Sequence, residues 1–154
     1  MSTTYQKFFP YDKPRDAQDK AIQFALDSFD NGKRFVVIEA GTGVGKSAIG
    51  LTISRHINSQ TNELPEEVSR GTWYLTTQKV LQEQYIKDFG KIGMKSIKSA
   101  SNYDCTFKKG NNCSETQKLL KIEEKGSKLW NACAFNCHYK KAKETFIDAS
   151  DSVT

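Results

Sequence analysis

Two groups of residues in this sequence have the types and spacing that chemistry needs. The first is Ala40-Gly41-Thr42-Gly43-Val44-Gly45-Lys46-Ser47, which follows the apolar run Phe35-Val36-Val37-Ile38 and leads into a helical pattern. A strand, a glycine-rich loop and a helix in that order form a cradle for a nucleoside triphosphate. The loop's backbone N–H groups surround phosphate oxygens, and the helix N-terminus adds partial positive charge. Gly41, Thr42, Gly43, Val44 and Gly45 supply the loop. Lys46 is the cation for the β and γ phosphates, and the Ser47 hydroxyl would hold Mg²⁺. The strict motif begins with Gly, and Ala40 stands there instead, still small enough for the turn.

The second group is the four cysteines, Cys105, Cys113, Cys133 and Cys137, separated by seven, nineteen and three residues. Thiolate sulfur is a soft ligand suited to Zn²⁺ or to iron–sulfur clusters. If one helix carries Cys133 and Cys137, they lie a turn apart and face the same side. Neither pair is a C-x₂-C knuckle, so spacing does not choose between metals. The alternative is four small core thiols, but the neighbouring Lys, Asn, Asp and Ser make a poor core. His138 adjoins Cys137 and reads as an exposed or supporting imidazole. His56 reads as surface structure near a helix end.

The elements that must position these groups follow from the pattern. Pro14 suits the first position of a helix, with Asp12 or Lys13 just before it and Asn31-Gly32 at its end. Ala17, Ala21, Phe24, Ala25 and Phe29 would form its apolar face. Phe35 to Ile38 reads as a buried parallel strand. The next helix runs from Lys46 toward Asn58, with Ile49, Ile53 and Ile57 inward. Ser59 to Gly71 is polar and reads as a surface loop. Thr72 to Thr76 is a second strand. A helix follows with Val80, Leu81, Tyr85 and Phe89 inward, closed by Gly90 and Gly93, and Met94 to Ser99 is a short third strand. The β–α–β–α order predicts a parallel sheet covered by helices. After about Ser101 the strand pattern fades, lysines dominate and all the cysteines appear, as in an insert.

The chain has 154 residues, a net charge of +5 and a pI near 9.0. That length gives room for one ordinary domain, and the basic balance fits a polyanionic partner. No apolar stretch is long enough for a membrane span, and Met1 to Phe9 lacks a secretory signal pattern. The expected location is the cytoplasm or nucleoid, where cysteines stay reduced.

The sequence resembles the N-terminal part of a DinG/XPD-type superfamily 2 DNA helicase, the group that carries an iron–sulfur cluster. Phe9-Pro10-Tyr11 with Pro14-Arg15 and Gln18 resembles the motif ahead of the first helix. Glu39 to Ser47 resembles the family's phosphate loop, while Leu75-Thr76-Thr77 and Leu81-Gln82-Glu83-Gln84 resemble its motif Ia. Ser101-Asn102-Tyr103-Asp104-Cys105 and Cys137-His138-Tyr139-Lys140-Lys141-Ala142-Lys143 resemble the borders of the cluster insert. Gln78 departs from the pattern, where the family often has Thr.

The resemblance implies an α/β fold: a P-loop (RecA-like) parallel sheet with helices on both faces, incomplete, plus a mainly helical four-cysteine insert. Residues 1–100 would be a partial ATP-binding lobe and residues 101–154 the cluster insert. Cys105, Cys113, Cys133 and Cys137 would hold a four-iron–four-sulfur cluster, with zinc as the alternative. Arg15 and Gln18 would lie near the adenine, and Thr76, Thr77 and Lys79 would meet phosphates of single-stranded DNA. Lys108, Lys109, Lys140, Lys141 and Lys143 would give the insert a basic face, with Tyr103, Phe107, Phe135 and Tyr139 open to base stacking. The expected function is ATP-dependent helicase action in DNA replication or repair, with ATP and Mg²⁺ as cofactors. A Walker B strand and a second lobe are not found. Phe146-Ile147-Asp148 is too short and sits in a helical pattern. The chain would therefore need the rest of the helicase as a partner, and alone would bind ATP weakly and not unwind DNA. The competing reading is a metal-bearing nucleic-acid-binding module with a vestigial P-loop.

Overall fold

A computed structural model describes residues 5–60 and 71–154. The chain divides into two compact units, Met1–Thr72 and Trp73–Thr154. No helix among the described residues is long and apolar enough to cross a membrane.

In the first unit, a short 3-10 turn at Gln6–Phe8 precedes α1 (Asp16–Asp30) and α2 (Lys46–Gln60). α1 begins two residues later than Pro14 predicts. Arg15 is its N-cap, and the Arg15 N–H donates to Gln18 Oε1 at 2.9 Å. A side-chain bond sets the start, and Asp16 and Asp19 sit in the first turn, where the helix dipole favours them. The predicted apolar face is also displaced. Ile22, Ala25 and Leu26 are buried, whereas Ala17 faces solvent and Phe24 is 58% exposed. The stripe that meets α2 runs through Gln18, Ile22, Ala25 and Leu26, which turns Phe24 outward. Tyr5, Phe9, Ile22, Leu26, Ala48 and Ile49 form one buried cluster, with Ile53 and Ile57 packed at its margin as the helical spacing predicts.

The expected buried strand at Phe35–Ile38 is a correction. No ladder forms there among the described residues. Val36 and Ile38 are half-buried, but Phe35 and Val37 are 86% and 88% exposed. A continuous apolar run needs cover on both faces. Here Ile38 packs on the α1–α2 cluster, and no strand among the described residues pairs with the run. Of the predicted loop at Ser59 to Gly71, residues 61–70 lie outside the described residues.

The sheet consists of β1 (Thr72–Tyr74), β2 (Lys95–Ser96) and β3 (Asp151–Val153), in spatial order β1-β3-β2. β2 and β3 pair in parallel, Lys95 with Ser152 and Ser96 with Val153. On the other side Thr154 N–H donates to Tyr74 O and its carbonyl accepts from Thr76 N–H, which is also a parallel pattern. The central strand β3 was not anticipated. All three of its residues are buried, although two are polar. α3 (Lys79–Phe89), α4 (Cys113–Leu119), α5 (Lys128–Phe135) and α6 (His138–Asp148) complete the second unit. α6 absorbs Phe146-Ile147-Asp148. In α3, Gln82 and Phe89 are buried and Tyr85 lies against Tyr74 and Phe89. The predicted inward positions Val80 and Leu81 are instead 71% and 40% exposed. Burial is concentrated at the helix's C-terminal end, where Phe89 and Met94 meet.

The α1 correction is testable by urea unfolding. Ile22→Ala should cost about 2–5 kcal/mol as a cavity in the α1–α2 cluster. Phe24→Ala should stay within about 0.5 kcal/mol, as a surface change does. The reverse ranking would restore the predicted face.

Candidate functional site

The glycine loop leads into the N-terminus of α2. Gly43 and Gly45 have φ of 81° and 85°, a left-handed backbone that side chains rarely tolerate. Among the described residues, no backbone N–H from Gly41 to Ser47 donates to a protein acceptor. Open donors at a helix start are the physical requirement for an anion site. Lys46 Nζ donates to Ala40 O and Gly41 O, both at 2.9 Å, which holds the ammonium over the loop. Ser47 is half-buried, one residue into the helix. The donor set therefore fits a triphosphate with Mg²⁺: peptide N–H groups and a cation for phosphate, and a hydroxyl for the metal.

α1 clamps this loop from beneath. Gln18 is 4% exposed, and its Nε2 donates to Val44 O at 2.8 Å while its Oε1 accepts from Arg15 N–H. Arg15 Nη2 lies 3.5 Å from Gly43 O, at the limit of a hydrogen bond. A Cβ placed on Gly45 would come within 2.4 Å of Gln18 Nε2. Gln18 and Arg15 thus lie against the phosphate loop. The Gln18 amide spends its hydrogen bonds on protein backbone.

In the second unit Thr76 and Thr77 follow β1, and Lys79 is the first residue of α3. Thr77 is exposed, while Lys79 Nζ donates to Asn102 Oδ1 at 2.7 Å. Lys98 pairs with Glu83 at 2.9 Å, and that hydrogen bond and charge hold the Glu83 carboxyl below the usual range.

The cysteines converge through a small hairpin. Asp104 and Asn112 form an antiparallel bridge, Cys105 N–H donates to Asn111 O, and Cys113 N–H donates to Tyr103 O. Asn112 caps α4: its Oδ1 accepts from Glu115 N–H at 2.9 Å, and Glu115 Oε2 accepts from Asn112 N–H at 3.0 Å. Cys113 is thereby fixed in the first turn. Cys133 and Cys137 do not share one helix. Cys133 is in α5, Cys137 is the N-cap of α6, and Asn136 ends the first helix between them. Thr106 Oγ1 donates to Asn136 O at 2.9 Å and ties the hairpin to that break.

Cys113 Sγ lies 3.5 Å from Cys137 Sγ. Burial, then the Cys137 thiol, then the charges of the other cysteines push the Cys113 thiol up to about 12. Burial raises Cys133 as well, helped by Cys137 and Cys105. For Cys105, burial acts upward, but hydrogen bonds from Thr116 and from the backbone of Lys108 and Phe107 outweigh it and lower the thiol. The four sulfurs are electrostatic neighbours. Still, among the described residues no three His, Cys, Asp or Glu side chains are drawn closely enough to close on one ion. Of the expected stacking aromatics, Tyr103 and Tyr139 pack on each other at 5.5 Å, while Phe107 and Phe135 are 48% and 78% exposed. Sequence reasoning missed Asn112 and Glu115, whose N-x-x-E spacing is a readable capping signal.

Two predictions follow from the clamp. Gly45→Ala should weaken binding of a fluorescent ATP analogue at least tenfold, from backbone strain and collision with Gln18. Gln18→Ala should weaken it about fivefold, the effect of one net hydrogen bond. Unaltered affinity in both would remove the clamp from the account.

The sequence matches the family described as type III restriction enzyme, res subunit, over residues 11–149. No curated protein and no solved structure matches the chain. The matched span takes in the phosphate loop, the Thr76 to Lys79 segment and all four cysteines. That family comprises ATP-hydrolysing, superfamily 2 helicase-like enzymes of nucleic acids that use ATP and Mg²⁺. A match over most of its length makes this chain a member of the type III restriction enzyme res-subunit family.

Proposed function

We propose that this chain is the N-terminal ATP-binding and iron–sulfur portion of a DNA helicase that couples ATP hydrolysis to movement along single-stranded DNA. Family membership supports the ATP-driven part. The finer reading is supported by the hairpin that ties the Cys105 and Cys113 segments together and by the helix break that brings Cys137 to Cys113. A bound cation would displace the protons of these thiols and offset the repulsion among the resulting thiolates.

In this reading Gly41 to Gly45 and Lys46 bind the phosphates, and Ser47 holds Mg²⁺. Gln18 and Arg15, which hold the loop from α1, lie near the adenine. Thr76, Thr77 and Lys79, at a strand end and helix start, meet DNA phosphates. Residues 1–100, joined by β3, serve as the ATP-binding lobe, and the rest of 101–154 as the cluster insert. The cluster, when bound, supplies a rigid inorganic joint between α4, the α5–α6 break and the hairpin.

A second reading has one specific support. Two thiolates on one tetrahedral zinc ion lie about 3.8 Å apart, from a Zn–S bond of about 2.3 Å, and Cys113 and Cys137 are at 3.5 Å. That fits a zinc-bearing nucleic-acid module with a vestigial P-loop.

Purification without air separates the two. The helicase reading predicts a brown protein with about four iron and four sulfide per chain. A colourless protein with one zinc favours the second reading, and four free thiols with neither metal defeat both. Lys46→Ala should abolish any effect of ATP on single-stranded DNA affinity and leave DNA binding itself in place. An ATP effect that survives the substitution contradicts the motor role.

A further inference from the structure

The second unit contains a cleft of about 540 Å³ that none of the expected sites uses. It opens between the end of α3, the start of β2 and the middle of α6. Lys87, Lys91 and Lys95 line it, with Met94 at its floor and the hydroxyl residues Ser96 and Thr145 beside them. Met94 is 1% exposed, whereas all three lysines are exposed. None of the three ammonium groups has an ion-pair or hydrogen-bond partner among the described residues. Asp88, Glu144 and Asp148 are the nearest acids in sequence, and none of them lines the cleft.

Three cations with no partner among the described residues line one recess and repel one another, so a polyanion stabilises the arrangement. We infer that this cleft binds the phosphodiester backbone of nucleic acid, at a place separate from Thr76, Thr77 and Lys79. The inference rests on the family's nucleic-acid activity. Lys79 opens α3 and Lys87 lies near its other end, about 12 Å along the axis at 1.5 Å per residue. The cleft is at the end where β2 begins, and Thr76 and Thr77 are at the end where β1 finishes, so one contact does not double as the other. No aromatic ring lines the cleft. Bases have nothing to stack on there, and recognition falls to charge, without sequence preference and with strong salt dependence.

The test is anisotropy of a labelled single-stranded oligonucleotide, titrated with the full chain at several salt concentrations. The variants are Lys87→Ala/Lys91→Ala/Lys95→Ala together, the same three positions changed to Arg, and Lys79→Ala. Each lost phosphate contact lowers the slope of log affinity against log salt by about 0.7, so the triple Ala variant should lose about 2. The triple Arg variant should keep the wild-type slope, and Lys79→Ala should add its own loss to that of the triple Ala variant. An unchanged slope in a folded triple Ala variant, checked by circular dichroism, overturns the inference while leaving the family reading intact. Loss of slope in the Arg variant overturns it too, because charge would not be the cause. Absence of binding by the wild-type chain defeats the nucleic-acid reading together with the inference. Binding to vesicles rich in anionic lipid but not to the oligonucleotide assigns the cleft to a membrane surface and overturns it.

Discussion

Peptide N–H groups at the start of a helix cannot bond within it, and in this protein those of the phosphate loop bond to nothing else among the described residues. Keeping them open requires that the loop be held by its carbonyls. Gln18 does this with one buried amide. Its oxygen starts α1 by accepting from Arg15 N–H, and its nitrogen restrains the loop at Val44 O. Lys46 reaches the same end from the other side, through Ala40 O and Gly41 O. The apolar cluster beneath fixes α1 against α2, so the clamp rests on packed helices. Helix start, loop shape and cation position are therefore one coupled arrangement.

The second unit depends on β3. A buried strand reading Asp-Ser-Val is stable only because its polar groups are satisfied. Ser152 Oγ donates to Phe146 O at 2.6 Å, and its backbone is laddered on both sides. Asp151 accepts from Tyr74. α6 connects Cys137, its N-cap, to this strand through Ala149 and Ser150. One helix of eleven residues thus joins the thiol group to the centre of the sheet.

The glycine loop was legible because its residues carry backbone geometry in their identity: Gly43 and Gly45 need a left-handed φ, and Lys46 and Ser47 must follow. The inward row of α2 was legible from spacing. The face of α1 was not, because Phe24 counts as apolar in any periodicity while Gln18 counts as polar, and the clamp inverts both. β3 was illegible for a related reason. It holds one apolar residue, and its burial is imposed by the strands on either side. The run Phe35–Ile38 showed the reverse error, since composition promised burial that only a neighbouring strand can provide. Cys133 and Cys137 have helical spacing, but the break at Asn136 depends on tertiary bonds such as that from Thr106.

The central claim is that the open amides at the head of α2 form a phosphate site. The most direct measurement is a ¹⁵N–¹H correlation spectrum of the labelled chain, titrated with Mg²⁺ and ATP. Phosphate binding at the loop gives large shifts of the Gly41 to Ser47 amides, smaller ones at Gln18 and Arg15, and loss of both in Lys46→Ala. Saturating nucleotide that leaves the Gly41 to Ser47 amides unmoved, or moves only signals elsewhere, would contradict it.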